Sequence, residues 1–143
     1  MTVPTIEAED LGQLADLCPD LQFEDDERRK VLLVAGSKDV QAAPGSGKTT
    51  LLAAKLLLMS QKWPHGNRGV CVLSHTNVAR DEIAKILGKT TVGSRLLGYP
   101  HFVGTKGQRP SRPCGTRGQI WNLVGKRAVF QARAAIHTPK QSR

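Results

Sequence analysis

Apolar residues recur along this chain with two alternating periods. Residues 5–18 set Ile6, Leu11, Leu14, Leu17 and Cys18 among acids, which predicts a short amphipathic helix limited by Pro19. Arg29 to Ala35 (RKVLLVA) fits either the end of a helix or a buried strand, and Gly36-Ser37 reads as a turn. Asp39 to Ala43 is a short strand leading into a glycine-rich loop. Lys48 to Ser60 is apolar nearly all round except for Lys55, so a largely buried helix is expected. Pro64 to Gly69 reads as a loop, and Val70 to Ser74 (VCVLS) as a buried strand. In Asn77 to Leu87, the residues Ala79, Ile83, Ile86 and Leu87 share one helical face, and Gly88 follows as a stop. His101-Phe102-Val103 is a third strand candidate. Strands and helices alternating at this spacing predict an α/β fold: a short three-stranded parallel sheet with two flanking helices over residues 38–104, one sheet edge bare. No internal repeat is visible.

Charge divides the chain differently. Residues 1–27 hold nine acids and no Lys or Arg, residues 28–104 hold twelve bases and three acids, and residues 105–143 hold nine bases and no acid. The net charge of +9 therefore equals that of the last segment alone, so the basic isoelectric point says little about the folded part. Residues 105–118 (TKGQRPSRPCGTRG) show no apolar periodicity, and the weak pattern of Ile120, Trp121, Leu123, Val124, Val129 and Phe130 allows a short helix. A disordered basic tail over 106–143 is expected, able to touch phosphate backbones without specificity. An acidic segment, 1–26, precedes a central domain, 27–105. Cys18, Cys71 and Cys114 form no Cys-x-x-Cys pair, which speaks against a zinc knuckle or disulfide scaffold and for a reduced, cytoplasmic setting. The apolar run Leu51 to Met59 is broken by Lys55 and too short to span a bilayer, so no membrane partner is expected.

The chemistry concentrates at residues 42–49, Ala-Ala-Pro-Gly-Ser-Gly-Lys-Thr. This is the Walker A pattern with Ala42 in place of the usual first glycine, between a predicted strand and a predicted helix. Backbone N–H groups of such a loop point at phosphates, and Gly45 and Gly47 allow the tight turns. Lys48 would neutralise β- and γ-phosphates, and Thr49 would give its hydroxyl to Mg²⁺. The expected nucleotide-binding set is Ala42, Ala43, Pro44, Gly45, Ser46, Gly47, Lys48, Thr49 and Thr50, with ATP and Mg²⁺ as cofactors. Lys48 and Thr49 carry whatever catalysis the loop performs.

The loop, together with the strand and helix that come after it, resembles the UvrD/Rep-like superfamily 1 DNA helicases. Their P-loop reads A-x-P/A-G-S-G-K-T, as Ala42 to Thr49 does, and Ser74-His75-Thr76-Asn77 with Val78 to Ile83 looks like their motif Ia. The resemblance implies a partial P-loop NTPase domain of RecA-like type, and single-stranded DNA contacts at Thr76 and Asn77. A plain N-cap at Thr76 or Asn77 accounts for the same residues and is compatible with that role. Tyr99 to Thr105 looks like the strand entering the next DNA-contacting motif, which adds Thr105. The adenine-reading Gln of the family would fall at Glu27, followed by Arg28, so the resemblance adds Glu27 and Arg28 to the expected nucleotide-binding set. An ionised glutamate only accepts hydrogen bonds, where an amide also donates.

The likeness covers roughly residues 24–105 and then stops. Lys106-Gly107-Gln108 stands where His-Ser-Phe is expected, and no apolar run ending in Asp-Glu, no arginine motif and no second lobe is found beyond it. Glu24-Asp25-Asp26-Glu27 lies before the loop and reads as a solvated charge run, as does Asp81-Glu82. Trp63 reads as a packing residue, Cys71 as a small buried one, and the histidines show no metal-ligand spacing. The expectation is an N-terminal helicase fragment that binds ATP-Mg and does not turn it over alone. Its last segment would be out-of-frame sequence, and a second polypeptide could complete the motor. The alternative is a stand-alone nucleotide-binding or regulatory module whose basic tail engages nucleic acid.

Overall fold

The computed structural model describes residues 4–21, 23–35, 38–43, 45–63, 69–105, 107, 119–124 and 127–131. Helix α1 spans Ala8–Leu17, α2 Asp26–Leu33, α3 Lys48–Lys62, α4 Asn77–Gly88 and α5 Thr91–Ser94, the last running into a 3₁₀ turn at Arg95–Leu97. The strands are β1 Lys38–Gln41, β2 Val70–Ser74, β3 Phe102–Thr105, β4 Gln119–Val124 and β5 Arg127–Gln131. The chain is mixed α/β. Among the described residues no helix is long and apolar enough to cross a membrane.

The core is built around α3. Residues 51–59 are all buried, Lys55 included, as expected of a helix that is apolar on every side. α4 buries Ile83 and Leu87 and leans Ala79 and Ile86 on the same core, the face its spacing predicted. β2 buries Val70, Val72 and Ser74 and half-buries Cys71 and Leu73, a period of two. The run Arg29 to Ala35 resolves as the end of helix α2, whose first turn is capped by Asp25 accepting from the Glu27 N–H at 2.9 Å.

One sheet holds all five strands in the order β1-β5-β4-β2-β3. β2 runs parallel to β3 and to β4, while β5 is antiparallel to β4 and to β1. Two expectations are corrected by this topology. First, β1 does not join β2 and β3 in a three-stranded parallel sheet; β4 and β5 stand between them. Second, the segment read as a disordered tail contains those two strands, and the helix allowed for 119–136 is not formed at 119–124 and 127–131. Ile120, Trp121, Leu123 and Val124 are β-branched, aromatic or apolar at nearly every position, which suits a strand inside a sheet and masks alternation. Cys114, His65 and His137 lie outside the described residues.

The topology aligns one sheet edge. β1 and β4 are each antiparallel to β5, so β1, β4, β2 and β3 all point the same way. Their carboxyl ends are Gln41, Val124, Ser74 and Thr105, and ligands of open α/β sheets sit at such an edge.

Candidate functional site

The loop from Ala42 to Gly47 leaves β1 at that edge and enters α3. Ser46 N–H donates to the Ala43 carbonyl at 3.2 Å, closing a four-residue turn. Gly45 and Gly47 both adopt φ +79°, a left-handed conformation that costs other L-residues about 1–2 kcal/mol. The Pro-Gly step in the sequence supplies the residue types such a turn favours, although Pro44 itself lies outside the described residues.

Gly47 is the N-cap of α3 and offers no side chain, and no acid occupies the first turn. The opening N–H groups of this fifteen-residue helix therefore have no side-chain acceptor at the cap, which leaves them for an anion. Ser46 Oγ is buried and has no hydrogen-bond partner among the described residues. Lys48 Nζ donates to the carbonyls of Ala42 at 2.8 Å and Ala43 at 2.6 Å, so the ammonium closes the loop on itself. Thr49 and Thr50 come next in the first helical turn, both half-buried.

Helix α2 reaches the same loop. Arg28 Nη2 donates to the Ser46 carbonyl at 3.3 Å, and its Nε lies 3.9 Å from Asp25 Oδ2. Glu27 is exposed on the same helical turn. At the other end of α2, the buried Lys55 Nζ donates to the carbonyls of Val31 at 3.1 Å and Val34 at 2.7 Å. A cation on the last carbonyls of a helix satisfies acceptors that lack intrahelical partners. Burial still pushes the Lys55 ammonium down to about 8. Sequence reasoning marked Lys55 only as an interruption. The signal was a lone lysine in the middle of an otherwise apolar helix.

The second group of expected residues lies further along the edge. Thr76 is the N-cap of α4, its Oγ1 accepting from Ala79 N–H at 3.3 Å. Ser74 Oγ accepts from Thr76 N–H at 3.3 Å and donates to the Thr76 carbonyl at 3.0 Å, fixing the strand-to-helix turn. Asn77 is exposed, and Val78 beside it is exposed by 77% although apolar. Thr105 ends β3 in register with Ser74. The structure thus brings Thr76, Asn77 and Thr105 together. It sets them three to four strands from β1, about 14 Å or more from the strand that carries the loop.

Two further polar contacts tie elements together. Asp10 accepts from Glu7 N–H at 2.6 Å and pairs with Lys62 at 2.6 Å, and these partners hold its carboxyl below the usual carboxylate value. His101 Nδ1 accepts from Val70 N–H at 3.0 Å with its ring edge-on to Trp63, and burial lowers its basicity. Among the described residues, no three of His, Cys, Asp and Glu come together as a metal site. Compared with known proteins, the chain matches no family model, no curated protein and no solved structure.

Proposed function

We propose that the chain binds a magnesium nucleoside triphosphate at Ala42–Thr49, as the P-loop of a UvrD/Rep-like helicase N-terminal region. One observation carries this reading: a turn with two left-handed glycines leads into a helix start without a side-chain cap, and the Lys48 ammonium is held, among the described residues, by the loop carbonyls of Ala42 and Ala43. An entering phosphate chain would offer Lys48 charged acceptors in place of neutral ones, adding a direct Coulomb attraction between opposite charges. The orphaned Ser46 hydroxyl is a further donor, with no acceptor among the described residues. Magnesium would arrive on the triphosphate, with Thr49 as its protein ligand and waters completing its shell. It would supply charge neutralisation at the β- and γ-oxygens.

Single-stranded DNA is proposed as the partner along Thr76, Asn77 and Thr105, which share the carboxyl edge with the loop. A second reading has its own support. β4 and β5 are built into the sheet, and β5 is the strand that pairs with β1. A segment so placed favours a stand-alone nucleotide-binding module over a helicase fragment with an out-of-frame end.

Equilibrium binding of fluorescent ATP to the full chain, with and without Mg²⁺, tests the site. Lys48→Ala should lower affinity at least tenfold, and equal affinity in that variant would remove the P-loop reading. Labelled single-stranded DNA should bind with an affinity that falls steeply with salt. ATP that strengthens DNA binding favours the helicase origin, and ATP binding without any effect on DNA favours the module.

A further inference from the structure

Arg28 touches the loop through its backbone. Its Nη2 donates to the Ser46 carbonyl. A trans peptide holds its C=O and N–H antiparallel in one plane. Drawing the Ser46 carbonyl toward α2 therefore turns the N–H of Gly47 to the opposite side. The anchor matters most at this peptide, because glycine accepts left- and right-handed conformations almost equally and leaves the plane free to turn.

The helix that carries Arg28 is braced at both ends. Asp25 caps its first turn and stands beside the Arg28 guanidinium, and Arg29 Nε donates to the Phe23 carbonyl at 2.8 Å. Lys55, projecting from α3, holds the Val31 and Val34 carbonyls at its far end. Since α3 also begins at the loop, α2 and α3 form a closed frame in which Arg28 reaches back to the loop peptide before Gly47.

We infer that Arg28 is a positioning residue for a polyphosphate bound at Ala42–Thr49: through Ser46 O it sets the Ser46–Gly47 peptide so that the Gly47 N–H faces the phosphate chain. This deepens the phosphate-loop reading and rests on it. Arg28 acts by a hydrogen bond to the backbone, without placing its charge on the ligand. Its side chain is 45% exposed, so its removal leaves no hole in the core.

The test uses the full chain, with MgATP and inorganic tripolyphosphate as probes. Arg28→Ala should weaken both by about tenfold, the worth of one hydrogen bond. Replacing Arg28 by citrulline keeps the planar donor and removes the charge, and should stay within threefold of the unaltered chain. In ¹⁵N-labelled protein the Gly47 amide proton should move downfield on ligand binding, and Arg28→Ala should shrink that movement. The inference is overturned if Arg28→Ala binds as the unaltered chain does, or if citrulline loses as much as alanine. Lys48→Ala separates the two claims. If it binds normally, the phosphate loop itself fails. If it fails to bind while Arg28→Ala binds normally, only the role of Arg28 falls.

Discussion

At the scale of single residues, the chain spends unusual groups on holding helix ends. Lys55 is the clearest case: a cation 4% exposed in the middle of α3, satisfied by carbonyls at the end of α2. Because the folded chain holds this proton less tightly than the unfolded chain, the unfolded state binds more protons between about pH 8 and 10.5. Stability should therefore climb with pH across that window. Denaturant unfolding at pH 7.5 and 9.5 checks it, and Lys55→Met should flatten the rise. Thr76 makes a different prediction, because the cap and the proposed DNA contact coincide there. Thr76→Ala should cost about 1 kcal/mol of stability through the lost cap, whereas Asn77→Ala should change stability by less than about 0.5 kcal/mol. A fall in single-stranded DNA affinity in Asn77→Ala, with unchanged unfolding, would assign that residue to the interface.

At the scale of elements, legibility followed the number of wet faces. α4 has one buried stripe, and Ala79, Ile83, Ile86 and Leu87 were readable from spacing alone. β2 was readable because polar residues bound it, and α3 because its apolar run is too long for a strand. α2 was half legible: DERRKVLL buries only Leu32 fully, so its charged start showed no stripe. β4 and β5 were missed because apolar residues adjoin without alternation and come after a stretch rich in Gly, Pro and Arg. The turns at Gly45 and Gly47 were legible, since a left-handed conformation demands glycine at both positions. The loop's brace by Arg28 was not, because a bond from a side chain to a distant carbonyl leaves no pattern in sequence.

At the scale of the whole molecule, the strand that carries the glycine loop is tied to the sheet through β5. A chain ending at Thr105 should lose that tie. We expect it to unfold with low cooperativity by circular dichroism and to bind MgATP at least tenfold more weakly than the full chain. Undiminished binding by that shorter chain would show that residues 106–143 contribute nothing to the site. The pairing also fixes an order of events. Lys38 meets Phe130, about ninety residues later, so among the described residues β1 gains its strand partner when β5 has left the ribosome. Contacts so distant in sequence form slowly, because the entropy of closing the loop must be met first. Helices α3 and α4 and the β2–β3 pair can assemble earlier, leaving a gap in the sheet for the hairpin of β4 and β5 to fill. The glycine loop would then be among the last parts of the molecule to take shape, and binding of the proposed nucleotide would serve as a clock for the end of folding.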